Sequence, residues 1–237
     1  MATMEQPVNA AADQIDVLDH GFVRLDASMA DDLSVVNSAR VSFAQHSSEM
    51  TEREQGLIRF LIRERHGSPT EHNAFRFHIK CPIFVCREWQ RHRIGSFNEW
   101  SARYSQLEPE FYLPAAGDVR TQVGKPGSYS FEPVDEALAE HTREAQLAVY
   151  RAAYDTYLEL LEQGVAKEVA RNVLPVAIYT QFYWTVNARS LMNFVSLRNS
   201  ETAQREIRRY AEAVEHFFAG KMPVTHAAFV ANDRRAP

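Results

Sequence analysis

Residues 91–104, RHRIGSFNEWSARY, concentrate side chains that can bind an anion. The cations and potential cations of this stretch are Arg91, His92, Arg93 and Arg103. An arginine guanidinium offers a planar fork of N–H donors that matches the oxygen atoms of a phosphate or a carboxylate. Because the whole chain carries a formal net charge of -5, this basic cluster is a local feature. We interpret the stretch as a site for an anionic ligand; the alternative is an exposed loop whose arginines pair with nearby acids.

The composition is that of a globular protein and argues against several other classes. Hydrophobic residues make up 45% of the 237 positions, which is enough for a full core. No apolar run approaches the roughly 18 residues of a membrane span, and residues 1–14 lack the apolar core of a signal peptide. The net negative charge is unusual for a nucleic-acid-binding domain. We therefore expect a cytoplasmic protein that binds neither membranes nor nucleic acids.

The first 70 residues predict two strands and two helices. Residues 16–26 have apolar pairs on either side of a central Asp-His-Gly, which is typical of a strand-turn-strand. Residues 31–45 have apolar side chains at helical spacing. Thr51 and Glu54 fit a capping box that begins a second helix, which we expect to end at Gly67.

An alternating segment follows from Asn73 to Cys86 and predicts a strand. Its apolar face contains Phe75, Phe77, Ile79, Cys81, Ile83 and Val85. Pro82 places this strand at a sheet edge or at a bulge, because proline cannot donate a ladder hydrogen bond. The pattern predicts that the strand leads directly into the basic stretch.

The middle of the chain predicts a loop and then a long helix. Residues 115–133 are rich in glycine and proline, which is typical of a loop, either an ordered excursion or a mobile flap. Residues 134–163 are expected to form a long helix that ends at Gly164, and residues 165–174 a short one. The apolar stripe expected on the long helix contains Leu138, Ala145, Ala148, Ala152, Leu158 and Leu161.

The last part of the chain predicts one strand and two helices. Residues 176–186 alternate between apolar and polar positions, and Asn187 can cap a helix that continues to Leu197. Residues 201–219 predict the last helix. Its expected buried stripe contains Ile207, Tyr210, Ala211, Val214 and Phe218.

These elements indicate an α+β fold with a mostly antiparallel sheet and packed helices. The sequence has no alternating βαβ pattern and no GxGxxG motif, so a Rossmann-type flavin site is not expected. We expect a single domain over residues 1–237, with residues 1–14 and 221–237 as tails.

The basic stretch resembles a specific family signature. It matches RHRxxSxNExSxRY, the signature of flavin-dependent thymidylate synthases, at nine fixed positions within fourteen residues. Those positions are Arg91, His92, Arg93, Ser96, Asn98, Glu99, Ser101, Arg103 and Tyr104. Three further segments are similar to the family in the same order: SARVSF at 38–43, HGSPTEH at 66–72 and NARSLMNFVSLR at 187–198.

The resemblance implies a complete activity and a set of site residues. The reaction is the reductive methylation of dUMP to dTMP, with 5,10-methylenetetrahydrofolate as carbon donor and FAD, reduced by NADPH, as hydride source. The implied assembly is a homotetramer whose active sites are shared between subunits. The implied dUMP contacts are Glu88, Trp89, Gln90, Arg91, Glu99, Trp100, Ser101, Ala102, Arg103, Arg171 and Arg198. The implied FAD contacts are Ser68, Arg91, His92, Arg93, Asn187, Ala188, Arg189 and Asn193. Position 88 often carries Gln in the family, so Glu88 is a departure.

Arg198 is the implied catalytic residue. It lies five residues beyond Asn193, or roughly 140° around an ideal helix, so it can serve a different ligand from the Arg189–Asn193 pair. An arginine side chain cannot accept a proton, because its pKa is above about 12. It can stabilise the negative charge that develops on the uracil ring after N3 loses its proton, and the family gives the matching arginine this role.

Three alternatives compete with that mechanism. Cys81 or Cys86 would be the thiolate nucleophile of a classical thymidylate synthase, but an apolar strand face keeps a thiol inert. A metal site would draw on His66, Glu71 and His72, which lack the spacing of a known metal motif, so we expect no metal. The third alternative is not an enzyme but a nucleotide-binding or nucleic-acid-binding module, which would bind phosphate groups without catalysing a reaction.

Overall fold

The computed structural model describes residues 13–125 and 128–237 and contains helices and antiparallel strands. The strands are β1 (Gln14–Val17), β2 (Gly21–Met29), β3 (Ala74–Pro82), β4 (Ser96–Glu99), β5 (Arg120–Lys125), β6 (Ser128–Pro133) and β7 (Tyr179–Asn187). The α-helices are α1 (Asp32–Arg40), α2 (Glu52–Arg63), α3 (Ile83–Trp89), α4 (Glu136–Glu162), α5 (Lys167–Ala170), α6 (Ala188–Arg198), α7 (Arg205–Lys221) and α8 (Pro223–Ala231). The predicted α+β class is confirmed.

The described chain divides into two compact units. The first unit contains residues 13–81, 85–99 and 181–237, and the second contains residues 82–84, 100–125 and 128–180. A single domain over residues 1–237 remains an expectation from the sequence. Most of the expected N-terminal tail lies outside the described residues, and β1 begins at Gln14.

A five-stranded sheet organises the first unit, with the strand order β1-β2-β3-β7-β4. The pairs β1–β2, β2–β3 and β4–β7 are antiparallel. Alternate residues of β3 and of β7 from Thr180 onward are buried on one face, so the predicted alternation is confirmed there. The start predicted at Val176 is wrong, since β7 begins at Tyr179 and Val176 is exposed. The predicted stripe of α7 is also confirmed, because Ile207, Tyr210, Ala211, Val214 and Phe218 are all fully buried.

The predicted start signals of two helices are present as local hydrogen bonds. Thr51 and Glu54 form the expected capping box at the start of α2. The Asn187 side chain accepts a hydrogen bond from the Ser190 backbone N–H at the start of α6. The end predicted for α2 is wrong, since the helix ends at Arg63 and Arg65 takes the left-handed conformation with φ 59°. Arg65 therefore takes the left-handed conformation at the helix end, where the sequence had predicted that Gly67 would end the helix.

The strand predicted for residues 73–86 ends early, and its edge position is wrong. β3 stops at Pro82 and lies between β2 and β7, so the proline occupies the strand end, where its missing N–H removes no interior ladder bond. Ile83 and Val85 continue the apolar pattern but belong to α3. The basic stretch therefore follows a helix and not a strand, and part of it forms β4.

Three further predictions from the sequence need correction. The loop expected at 115–133 contains the antiparallel β5–β6 pair, whose side chains, including the apolar Val123 and Phe131, are largely exposed. The buried residues of α4 are Ala139, Tyr150 and Tyr157, and the predicted alanines of its stripe are exposed. Alanine-rich helices look apolar on several faces, so the tyrosine rings decide which face packs. Residues 221–237 are not a tail, because α8 contacts α2 and α7.

The remaining predicted helices are present but shorter than expected. The segment 31–45 forms α1 followed by a 3₁₀ turn at Val41–Phe43. The segment 165–174 forms α5 and a 3₁₀ turn at Arg171–Val173. Asp32 at the start of α1 accepts hydrogen bonds from the backbone N–H groups of Val224 and Thr225 at 2.9 Å. This contact fixes the start of α8, which positions the end of the chain.

We predict that Gly21→Ala destabilises the protein while Gly220→Ala stabilises it. A methyl group at Gly21 would collide with the Tyr210 hydroxyl and lie 2.7 Å from the carbonyl oxygens of Lys80 and Val17. Such overpacking costs about 3 kcal/mol. Gly220 lies in α7 with no atom within 4 Å of an added methyl, so alanine there should gain about 0.5–1 kcal/mol. Urea unfolding of both variants measures this; equal midpoints would contradict the packing described for Gly21.

Candidate active site

The end of α3 is fixed by an aromatic cluster around Trp89. The Trp89 ring is fully buried and contacts residues of β7, α6 and α7. Its neighbours are Phe194 at 4.6 Å, Trp184 at 5.3 Å, Phe182 at 5.5 Å and Tyr210 at 6.0 Å between ring centroids. Aromatic pairs at these separations add directional contacts to the burial of apolar surface. Because the whole residue is enclosed, Trp89 positions its neighbours, and its assignment as a dUMP contact stays a prediction.

Arg198, the last residue of α6, is held by the end of α3. Its Nη1 donates to Glu88 Oε2 at 3.0 Å, and its Nη2 donates to the Glu88 backbone carbonyl at 3.0 Å. Its Nε donates to His92 Nε2 at 3.0 Å. The last carbonyl groups of a helix lack helical partners and carry partial negative charge, so a guanidinium there is favourable. These three contacts orient the Arg198 side chain. The sequence analysis identified this residue only by its implied catalytic role.

His92 is neutral in this arrangement. Burial and, to a lesser extent, the neighbouring Arg198 together lower the pKa of His92 to about 4. An arginine can only donate, so His92 Nε2 must be the unprotonated acceptor and its proton lies on Nδ1. His92 therefore orients Arg198 without adding a second positive charge.

The start of α6 places a second arginine. Arg189 Nη1 donates to Glu71 Oε1 at 2.6 Å, and its Nε donates to the Pro237 carbonyl at 2.8 Å. Gly67 lies against this guanidinium: an added Cβ would be 2.6 Å from Arg189 Nε. The glycine is required for this close approach, and the 3₁₀ turn that begins at Ser68 follows it directly.

These side chains line one open cavity of about 820 Å³ in the first unit. The lining residues predicted from the sequence are Arg91, His92, Arg93, Asn187, Arg189, Asn193 and Arg198. Five arginines and one glutamate line the cavity. Within the part of the chain that the structure describes, Arg65, Arg91 and Arg93 have no side-chain hydrogen bond or ion pair. Unpaired arginines in a cavity are a strong attraction for phosphate groups.

Sequence reasoning missed several lining residues. They are Arg65, Ile94, Ser190, Leu197, Ala236 and Pro237, together with Glu71, which had been considered only for a metal site. Arg65 directly precedes the HGSPTEH segment, and this adjacency was the available signal. No local signal marked Ala236 and Pro237, because α8 and its contact with Asp32 bring them to the cavity.

Besides Glu88 and Trp89, four predicted contacts occur in the first unit outside this lining. Gln90 Nε2 donates to Glu99 Oε2 at 3.1 Å, so these two predicted dUMP contacts lie together. Ala188 is fully buried, and its backbone N–H donates to the Asn73 carbonyl at 2.8 Å. Ser68 is exposed at the start of its 3₁₀ turn.

The remaining predicted dUMP contacts belong to the second unit. They are Trp100, Ser101, Ala102, Arg103 and Arg171. Ser101 Oγ accepts from the Arg103 backbone N–H at 3.3 Å, and the Arg103 guanidinium lies 5.1 Å from the Tyr104 ring centroid. Ala102 is buried, whereas Arg103 is exposed and Arg171 is partly exposed. Their assignment to the nucleotide stays a prediction.

The two cysteines are enclosed side chains. Cys81 is fully buried and Cys86 is 2% exposed. Burial raises the pKa of the Cys81 thiol well above its usual value, and the neighbouring Cys86 raises it further. Gln90 Nε2 lies 3.4 Å from Cys86 Sγ as a donor. A thiol in such surroundings stays protonated and is a poor nucleophile.

Comparison with known proteins assigns the family. A family model described as thymidylate synthase complementing protein matches residues 24–224. The chain belongs to this family. Within the family, the flavin-dependent thymidylate synthase of Thermotoga neapolitana is 48% identical over 217 residues, which cover 92% of this chain and 94% of that protein. The flavin-dependent thymidylate synthase of Tropheryma whipplei strain TW08/27 is 47% identical over 230 residues, covering 91% and 94%.

A solved structure agrees with this family assignment. The UMP/dUMP methylase PolB from Streptomyces cacaoi, bound with 5-Br dUMP, superposes with a TM-score of 0.86 at 42% sequence identity. The match covers 94% of this chain and all of that chain. Among the helices of residues 13–125 and 128–237, none has the length and apolar character needed to cross a membrane.

Proposed function

We propose that this protein is a flavin-dependent thymidylate synthase that converts dUMP to dTMP. The observation that carries the proposal is the position of Arg198, held by Glu88 and His92 at the wall of a cavity that contains three arginines without partners among residues 13–125 and 128–237. Family membership and the named relatives support the same activity. We further propose that methylenetetrahydrofolate supplies the carbon and NADPH the reducing equivalents, and that the enzyme is cytoplasmic.

The residues of the cavity fit an FAD molecule. Arg91, Arg93 and Arg189 line the cavity with guanidinium groups that can bind a pyrophosphate. Asn187, Arg189 and Asn193 lie along α6 within the cavity lining. When bound, FAD supplies the hydride that the reductive methylation requires. The residues that we assign to FAD binding are Ser68, Arg91, His92, Arg93, Asn187, Ala188, Arg189 and Asn193.

The chain's own contribution to the chemistry is electrostatic. Uracil C5 becomes a better nucleophile when the ring carries negative charge, and Arg198 can stabilise that charge without taking a proton. Its three contacts with Glu88 and His92 fix its orientation before a ligand arrives, so little reorganisation is needed. We assign Arg91, Ser101, Arg103 and Arg171 to the nucleotide phosphate, because arginines and hydroxyls bind phosphate oxygens.

We propose a homotetramer in which active sites are shared between subunits. Several large apolar side chains of the second unit are exposed, and covering them in an assembly would remove apolar surface from water. They include Val123, Phe131, Leu138 and Val149, which are 42%, 57%, 48% and 60% exposed.

The direct test of the proposed function is product formation. Purified protein supplied with FAD, NADPH and methylenetetrahydrofolate should convert dUMP to dTMP, detected by chromatography, and omission of any one of the four should stop the reaction. A colourless protein that takes up no added FAD, forms no dTMP and still binds nucleotides would favour the alternative function, a module that binds phosphate groups without catalysing a reaction.

The cysteine and arginine variants separate two mechanisms. The double variant Cys81→Ala/Cys86→Ala should keep substantial turnover, because both thiols are enclosed and burial raises the pKa of the Cys81 thiol. Arg198→Ala should lose a factor on the order of 10²–10³, as expected for removal of one charge-stabilising donor. Arg198→Lys should also be impaired, since an ammonium group cannot reproduce the planar fork. FAD content and circular dichroism are the controls. A folded, flavin-loaded but inactive cysteine variant, with Arg198→Ala active, would contradict this mechanism.

Co-expression of two inactive variants tests site sharing. If Arg171 serves the cavity of another subunit, hybrids of Arg171→Ala and Arg198→Ala chains contain some intact sites and recover part of the activity. Hybrids of Arg91→Ala and Arg198→Ala chains are the matched control, because both residues line the cavity of one chain. These hybrids should recover nothing. Equal recovery in both pairs, or a fully active monomer on sizing, would contradict the proposed sharing.

A further inference from the structure

Arg65 occupies a defined turn at the end of α2. The Arg65 backbone N–H donates to the Ile62 carbonyl at 3.1 Å, and the His66 N–H donates to the Leu61 carbonyl at 2.8 Å. These two bonds form a Schellman motif, in which the residue at the position of Arg65 takes the left-handed conformation, here with φ 59°. Glycine is the usual residue there, because it has no Cβ to crowd the backbone. The turn itself therefore does not account for an arginine at this position.

The Arg65 side chain lines the cavity and has no partner within the described part of the chain. It is exposed and makes no hydrogen bond or ion pair there. By contrast, the guanidinium of Arg189 is held by Glu71 Oε1 and by the Pro237 carbonyl. Arg65 can therefore bind an anionic ligand without losing an existing contact.

Arg65 lies at the Arg189 end of the cavity. Gly67, two residues after Arg65, packs so closely against Arg189 that an added Cβ would be 2.6 Å from its Nε. Arg189 and Arg198 lie at opposite ends of α6, roughly 13 Å apart along the helix axis at about 1.5 Å per residue. Both arginines line the cavity. The cavity therefore extends along α6, with Arg65 at one end and Arg198 at the other.

This arrangement matches the order of the parts of an FAD molecule. The proposed function places the nucleotide base and the flavin ring beside Arg198. In FAD the ribityl chain separates the flavin ring from the pyrophosphate, so a molecule whose ring lies beside Arg198 extends its pyrophosphate toward the other end of α6. The pyrophosphate is the only part of FAD that is charged at neutral pH. A guanidinium matches its oxygen atoms with a planar fork of donors.

We propose that Arg65 binds the pyrophosphate of FAD together with Arg189. The inference rests on the proposed function, which puts FAD in this cavity, and the FAD contacts implied by the family resemblance do not include Arg65. Glu71 and Pro237 already orient Arg189, so its remaining N–H groups are offered in one direction. Arg65 has no such partner within the described residues and can adjust to the phosphate oxygens. FAD thus meets one fixed and one adjustable guanidinium at this end of the cavity.

The experiment measures the FAD affinity of the full chain at several salt concentrations, by the quenching of flavin fluorescence. Arg65→Asn removes the cation and keeps the left-handed turn, because asparagine tolerates this conformation. FAD binding should weaken about tenfold or more, since a charge-assisted contact is lost. It should also depend less steeply on salt, because one screened interaction is missing. Arg65→Lys should recover only part of the affinity, since an ammonium group lacks the planar fork.

Arg63→Gln is the matched control. It removes the same charge two residues earlier, from an exposed side chain that pairs with Glu64 and does not line the cavity. Its FAD affinity should equal that of the wild type. An equal loss in Arg63→Gln and Arg65→Asn would overturn the inference, because it would show an effect of net charge and not of a contact. Circular dichroism checks folding, and Arg65→Gly, which carries the usual residue of this turn, replaces Arg65→Asn if that variant is unfolded.

The remaining outcomes separate the inference from the proposed function. Unchanged FAD affinity and salt dependence in a folded Arg65 variant, with the wild type binding FAD, would overturn the inference and leave the proposed function intact. The same conclusion follows if Arg65→Asn weakens the binding of dUMP at saturating FAD but not the binding of FAD, because Arg65 would then serve the nucleotide. A wild-type protein that binds no FAD would overturn the proposed function, and the inference with it.

Discussion

The packing of Trp89 is the constraint on which the site depends. Its ring is enclosed by residues from β7, α6 and α7, so the end of α3 cannot shift without disturbing the core of the first unit. This places the Glu88 carbonyl where Arg198, at the end of α6, can donate to it. The basic stretch, residues 91–104, begins just after α3 ends at Trp89. A buried aromatic cluster thus fixes the positions of charged groups that lie near its surface.

The site combines paired and unpaired arginines, and the difference follows from their positions. Arg198 and Arg189 emerge from opposite ends of α6, and each is held by an acid and a backbone carbonyl. Arg91 and Arg93 follow α3, are exposed and have no such partners within the described residues. Held arginines suit the recognition of a ligand in one orientation, and free arginines suit the attraction of phosphate charge. An acidic protein can therefore bind acidic ligands, because the positive charge is concentrated in one cavity.

Sequence reasoning succeeded where one local pattern had one physical solution. The alternation of β7, the stripe of α7 and the caps at Thr51 and Asn187 each depend on neighbours within a few residues. It failed where a pattern had two solutions. Ile83 and Val85 fit both a strand and a helix, and Pro82 decided between them. The alanines of α4 offered several apolar faces, and contacts far along the chain selected one.

In the candidate site, too, local patterns could be predicted from the sequence and contacts between distant residues could not. The basic stretch and the Asn187–Arg198 segment were identified from their residues, and the structure brings Arg91, His92, Arg93, Asn193 and Arg198 to one cavity. The hydrogen bonds that hold Arg198 could not be predicted, because Glu88 and Arg198 lie 110 positions apart in the sequence. Only the folded core brings them together. The contribution of Pro237 depends on α8, whose docking to Asp32 has no local signal.

We propose that Arg198 contacts the nucleotide in the same cavity that binds the flavin. The most direct measurement is the visible absorbance of the oxidised, FAD-loaded protein during titration with dUMP. A saturable change in the flavin bands in the wild type, lost in Arg198→Ala at equal FAD content, is the predicted result. No change in the wild type, or an undiminished change in Arg198→Ala, would contradict the account.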